Sequence, residues 1–175
     1  MWKHFHILNS SVSLGTVGTV MNLKRFEIRP AHIEEAERLH ELHTASVRAL
    51  CKDHYSPELI DGWLRNRSPA GYLPGIEQGQ IFVVQSGSEI VGFGEAKTGW
   101  IVAVYVDPRF THLRIGTAIV KHALELARCG HTGPVRLEAT LNASPFYERL
   151  GFREVGRAFV RRNHVSLPVV VMEIV

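Results

Sequence analysis

Residues 100–107, WIVAVYVD, are a nearly continuous apolar run closed by Asp107 and Pro108. A strand that is apolar on both faces must be covered on both, so it belongs inside a sheet with helices packed above and below. The next stretch, RFTHLRIGTAIVKHALELAR (109–128), changes to a helical period. Ile115, Ala118, Ile119, Ala123 and Ala127 fall on one side, and Thr117, Lys121, Glu125 and Arg128 on the other. A strand, a loop carrying Arg109 and Arg114, and a helix therefore follow one another. A helix N-terminus offers unpaired N–H groups and the positive end of its dipole, so the junction is suited to an anion. Gly116 and Ala118 are small enough to let a pyrophosphate approach the backbone.

The remaining elements can be read by the same periods. RFEIRPA (25–31) alternates as a strand. A helix follows, with Ile33, Ala36, Leu39, Leu42, Ala45 and Ala49 as its expected apolar stripe. Ser56 is an N-cap and Pro57 suits the first turn of a second helix bearing Ile60, Trp63 and Leu64. Pro69, Gly71, Pro74 and Gly75 break the chain into a loop with at most a short helix. QIFVVQ and EIVGFGEAK are strands joined by the hairpin signal SGS. VRLEATL is a strand and ASPFYERLG a short helix stopped by Gly151. FREVGRAFVRR and SLPVVVMEIV are the closing strands. The order β-α-α-β-β-β-α-β-α-β-β predicts one α/β (α+β) domain over residues 22–175.

Residues 1–20 are expected to be a disordered extension or a mis-called start. Asn9, Ser10, Ser11, Ser13 and Gly15 interrupt any apolar core of a signal peptide, and no cleavage site follows. No apolar stretch approaches the ~20 residues of a membrane span. The formal net charge of +3 suits a small polyanion, while the lack of a long Lys/Arg run argues against nucleic acid. Cys51 and Cys129 read as reduced thiols of a cytoplasmic protein. The histidines form no metal-ligand spacing, so no metal is expected, and no G-x-x-x-x-G-K-[ST] is present.

A second motif lies at LNASPFYERLGFREVG (141–156). Asn142 and Ser144 can each cap a helix, Pro145 fits its first turn, and Phe146, Leu150 and Phe152 are core anchors. Tyr147 sits among them with a hydroxyl that needs a partner. Together with VAVYVDPRFTHLRIGTAIVKHAL, this stretch resembles the GNAT superfamily of acetyl-CoA-dependent N-acetyltransferases over about residues 24–175. The pattern N-x-x-A/S-x-x-F-Y-x-x-x-G-F is matched by Asn142, Pro145, Phe146, Tyr147, Gly151 and Phe152, with Ala143 or Ser144 as the small residue. The first stretch departs from the family. Thr111 stands where Gln or Arg is usual, Arg114 stands at the first glycine, and Gly116 matches the second. A residue with a Cβ can adopt right-handed helical geometry at a helix start, so Arg114 need not close the site, and its guanidinium can reach a phosphate.

The resemblance implies a central mixed, mostly antiparallel sheet flanked by helices, and acetyl-CoA and an amine acceptor as substrates. It places the pyrophosphate on the N–H groups of His112, Leu113, Arg114, Ile115, Gly116 and Thr117, beyond Thr111. The pantetheine arm would run along Val104, Tyr105 and Val106 as an added strand, where a splayed or bulged strand end would free N–H groups. An N–H near Val106 would polarise the thioester carbonyl. Asn142 would bond the pantetheine amide beside Ser144 and Phe146, and Tyr147 would protonate the departing thiolate. The base that deprotonates the amine is Glu95 or Glu138, both on strands flanking the site. A GNAT-fold domain that holds CoA or acyl-CoA and acts through partners is the second function compatible with these residues. Tyr55, Trp63 and Tyr72 are candidates for the acceptor pocket, and the apolar tail 166–175 is a strand able to pair in a homodimer.

Overall fold

The computed structural model describes residues 5–6 and 26–175. Of the N-terminal extension, Phe5–His6 is described as a two-residue strand β1 antiparallel to β2. The rest of that expectation lies outside the described residues. Strand β2 (Phe26–Pro30) leads into α1 (Ala36–Leu50), α2 (Pro57–Leu64) and the short α3 (Leu73–Glu77). Then come β3 (Ile81–Ser86), β4 (Glu89–Lys97), β5 (Trp100–Val106) and α4 (Ile115–Arg128). The chain closes with β6 (Val135–Ala139), α5 (Ser144–Glu148), β7 (Arg153–Arg162) and β8 (Val165–Ile174).

The strands form one sheet in the order β1-β2-β3-β4-β5-β6-β8-β7. Every ladder is antiparallel except β5–β6. This is the mixed, mostly antiparallel sheet expected from the resemblance. One face buries Leu39, Leu42, Ile76 and Phe93 beneath α1 and α3. The other buries Phe82, Ile115, Ile119 and Met172 beneath α4, with Tyr147 and Phe152. A third cluster, around Val47, Trp63 and Leu167, ties α1 and α2 to β8. Helix α4 crosses β4 closely at Gly94, where a Cβ would come within 2.7 Å of the Ile119 side chain.

Two sequence expectations are corrected. The buried face of α1 is Ala36, Leu39, Leu42, His43, Ser46 and Val47. Ile33, Ala45 and Ala49 are exposed. A stripe read mostly at a spacing of three drifts off a period of 3.6, and two polar residues on the buried face, His43 and Ser46, hid the true one. Strand β5 is also less covered than its apolar run predicts: Trp100 and Val102 are exposed, and residues 103–106 are half-buried. In the C-terminal tail, both edges of β8 are used, by β6 and by β7.

Candidate active site

The partial exposure of β5 has a topological cause. β5 and β6 pair only at Trp100 and Arg136, and then diverge. On its other side, β5 faces β4 with a register shift: Ala96 pairs with Ile101 but Glu95 with Ala103, so Val102 is an extra residue. Bulge and divergence together open a cavity of about 440 Å³. Ser46, Val47, Cys51 and Trp63 line it from the α1–α2 side, and residues of the loop after β5 together with Asn142, Ala143, Phe146 and Tyr147 from the α4–α5 side.

The open edge of β5 carries usable hydrogen-bonding groups. The Asp107 N–H donates to the Val91 carbonyl at 2.9 Å, toward β4. Alternation along an antiparallel strand then turns Tyr105 toward β4 as well, and turns the N–H and C=O of Val104 and Val106 into the gap. The expected bulged or splayed strand end is therefore present beside the residues named for it.

The loop after β5 is anchored at its start. The Asp107 side chain accepts from the Arg109 N–H at 3.0 Å and from Arg38 on α1 at 2.8 Å. Hydrogen bonding from Arg109, ahead of the opposing effect of burial, holds the Asp107 carboxyl far below the usual carboxylate range. Arg109 also pairs with Glu89. This corrects the expectation that Arg109 adds free charge to the anion loop: its guanidinium is committed to two carboxylates and does not line the cavity.

The correction at Arg114 is larger. Arg114 is the N-cap of α4 with φ 60° and ψ 14°, which is left-handed geometry, and His112 has φ 66°. The place usually held by glycine is thus a position that favours glycine sterically, and here a side chain occupies it. Thr111, His112, Arg114, Ile115, Gly116 and Thr117 all line the cavity, while Leu113 is exposed and does not. The first helical bond of α4 runs from the Ala118 N–H to the Arg114 carbonyl at 3.1 Å, leaving the N–H groups of Ile115, Gly116 and Thr117 without intrahelical partners. A Cβ on Gly116 would stand 3.3 Å from the Phe146 ring, so the two sequence motifs meet at this point.

On α5, neither predicted cap forms. The N-cap is Ala143 without a side-chain bond, and the Ser144 hydroxyl donates to the Leu141 carbonyl at 3.4 Å, outside the cavity. Asn142 instead lines the cavity, with its Oδ1 buried and lacking a hydrogen-bond partner. Tyr147 is 8% exposed, packed edge-on between Phe146 and Phe152, and lines the cavity. Burial pushes its phenol well above its ordinary value, so it stays protonated at neutral pH. Arg149, just beyond, also lines the cavity.

The two candidate carboxylates differ. Glu138 on β6 lines the cavity, but Arg162 donates to it at 3.3 Å. Glu95 on β4 does not line the cavity. It stands opposite Ala103, which does, so its side chain shares the sheet face of Ala103 and Tyr105. Burial raises its carboxyl above the ordinary value, against opposing pulls from Lys97 and Arg67. Among the described residues, no group of three or more His, Cys, Asp or Glu side chains could hold a metal ion.

Several contributors carry no local signature in the sequence. Tyr55 donates to the Pro168 carbonyl at 2.8 Å and accepts from the Leu141 N–H at 3.0 Å, bolting the α1–α2 turn to the segment that holds Asn142. Of the other acceptor-pocket candidates, Trp63 lines the cavity and Tyr72 bonds His43 at 2.9 Å. His43 is buried and stacked on Tyr105 at 3.9 Å. Only its spacing of three and four residues from Ser46 and Val47 hints at that position.

Comparison with known proteins gives a consistent picture. The acetyltransferase (GNAT) domain profile matches residues 51–174, well over half of the chain. The chain is 23% identical over 133 residues to the uncharacterized N-acetyltransferase YafP of Escherichia coli (strain K12), covering 76% of this chain and 85% of that protein. A GCN5-related N-acetyltransferase structure from Rhodopseudomonas palustris superposes with a TM-score of 0.79 at 24% identity, covering 90% of this chain and 98% of that one. The PaiA N-acetyltransferase from Thermoplasma acidophilum, in complex with coenzyme A, gives a TM-score of 0.67 at 23% identity, covering 85% and 97%.

Proposed function

The chain belongs to the GNAT acetyltransferase family, and on that premise we propose that it moves an acetyl group from acetyl-CoA to a primary amine by direct attack in a ternary complex. The observation that carries this reading is the Asn142 Oδ1, a buried acceptor without a partner in the same cavity as Tyr147 and the open edge of β5. A buried carbonyl oxygen left alone is costly, and an amide N–H of a pantetheine arm satisfies it. The similar PaiA structure with coenzyme A bound supports the same ligand here.

Acetyl-CoA would supply the acetyl group as a thioester. The N–H groups of Ile115, Gly116 and Thr117 would hold the pyrophosphate, with Arg114 and Arg149 adding charge. The Val104 and Val106 edge would hold the arm, and the Val106 N–H would polarise the reacting carbonyl. The acceptor would enter from the α1–α2 side, past Trp63 and Ser46. Glu95, acting through water from the face of Ala103, would take the amine proton. The amine nitrogen forms the new C–N bond as the C–S bond breaks. Tyr147 would give its phenolic proton to the departing sulfur and recover it from solvent. Glu138 is the weaker candidate for the base, because Arg162 already engages it.

The test is thiol release from acetyl-CoA across a panel of amines. At least one amine is expected to turn over, and Tyr147→Phe is expected to lower kcat about 100-fold while leaving CoA affinity nearly unchanged. Equal turnover by the variant would remove Tyr147 from the acid role. The second reading, a CoA-holding module without catalysis, draws on Arg114 standing in left-handed geometry. It predicts CoA binding with no amine turned over.

A further inference from the structure

Leu50, at the C-terminal end of α1, is 39% exposed, and Val102, the extra residue of the β5 bulge, is 43% exposed. Single apolar residues on a surface need no explanation, but these two line the same cavity. Val47 and Trp63, both buried, line it as well. Trp63 is held edge-on by Tyr55, with ring centres 6.3 Å apart, and by His43 at 6.1 Å. The apolar wall is thus fixed before any ligand arrives.

The charged groups of the cavity lie elsewhere. Among the described residues, its charged or imidazole side chains are His112, Arg114, Glu138 and Arg149, and none of these comes from α1, α2 or the turn between them. His112 and Arg114 belong to the loop before α4, and Arg149 follows α5. Glu138 is on β6, and Arg162 already engages it at 3.3 Å. Arg48 and Asp61 pair with each other at 2.9 Å and do not line the cavity. Lys52 and Asp53 are exposed and do not line it either. The polar side chains left on the α1–α2 wall are the Ser46 hydroxyl and the Cys51 thiol. Burial pushes that thiol up to about 11, so it is uncharged at neutral pH. A wall of this kind cannot repay the desolvation of a second charge on an acceptor, but it gains from every methylene it covers.

We infer that the α1–α2 wall of the cavity receives the apolar body of the acceptor, so that the amine to be acetylated is carried by an alkyl or aralkyl group without a second charge. This rests on the acetyl-transfer reading above, which brings the acceptor in from this side, and narrows the acceptor to one chemical class. Leu50 and Val102 would cover the outer part of that body, and Val47 and Trp63 the inner part.

Three amines of one length test it by calorimetric titration, with and without coenzyme A: hexylamine, 6-aminohexanoate and 1,6-diaminohexane. They differ only in a methyl, a carboxylate or an ammonium at the far end. Hexylamine is expected to bind about tenfold or more tightly than either of the others. Propylamine, shorter by three methylenes, is expected to bind about 30-fold more weakly than hexylamine. Leu50→Asp, at an exposed position, is expected to narrow the gap between hexylamine and 1,6-diaminohexane at least about fivefold, and Val102→Thr to weaken hexylamine about threefold. Equal affinities among the three, tighter binding of a doubly charged amine, no binding of hexylamine, or a gap untouched by Leu50→Asp would overturn the inference. Failure of the acetyl-transfer reading is seen separately, as hexylamine binding without thiol release from acetyl-CoA.

Discussion

Arg114 is the residue at which sequence and geometry part most sharply. The departure from glycine is visible in the sequence, but its conformation is not: a side chain at a helix start most often sits in right-handed space, and here φ is 60°. Left-handed geometry costs a residue with a Cβ roughly 1 kcal/mol. Arg114→Gly is therefore expected to raise stability by about 1 kcal/mol, read as an unfolding midpoint about 2–4 °C higher. If the guanidinium also meets phosphate, the same variant loses more CoA affinity relative to the parent at low salt than at high salt. An unchanged midpoint would mean the loop carries no strain. At Glu95, burial raises the carboxyl, so deprotonation, and with it base activity, sets in at a higher pH than for an ordinary carboxylate. The acidic limb of kcat/KM should lie above the ordinary carboxylate range and vanish, with most of the rate, in Glu95→Gln. A limb that survives the change would transfer the role to Glu138 or to solvent.

The elements were the most legible part of the chain. Ser56 accepts from the Leu59 N–H at 3.3 Å as the N-cap of α2, and the SGS hairpin turns at Gly87 with φ 62°. Both are local chemistry, so local sequence specifies them. What could not be read is how elements are joined at long range. Asp107 looks like a strand-ending acid, yet it binds Arg38, 69 positions away, and fixes where the anion loop leaves β5. Ser144 and Asn142 both fit a cap, and neither is used as one, because the cavity takes Asn142 and the Leu141 carbonyl takes Ser144. Asp107 also sets a pH dependence. Its folded carboxyl lies below its unfolded value of about 3.9, so its stabilisation is present above that value and is lost as pH falls through the folded one. Asp107→Asn should cost about 2 kcal/mol at pH 7 and flatten the acid-side loss of stability below pH ~4. Denaturant melts across pH would show a parallel loss in both proteins if Asp107 contributed nothing.

At the scale of the whole molecule, the fold follows from one conflict. WIVAVYVD reads as a strand to be covered on both sides, and the sheet instead parts from it after a single β5–β6 pair. An apolar strand half-opened to a cavity is what the structure offers an extended ligand, and the helices on the two faces supply the two sides of that cavity. Element order, the match at 142–152 and the small residue at Gly116 made the α4–α5 wall of the cavity legible. The α1–α2 wall was less so: Trp63 stood out as an aromatic candidate, whereas Ser46 and Val47 come from a helix whose sequence shows only packing. The account turns on whether this open edge holds acetyl-CoA. Calorimetric titration of the intact chain with acetyl-CoA should give one site with a dissociation constant below about 1 mM, weakened in Asn142→Ala. No heat of binding up to millimolar ligand would contradict it.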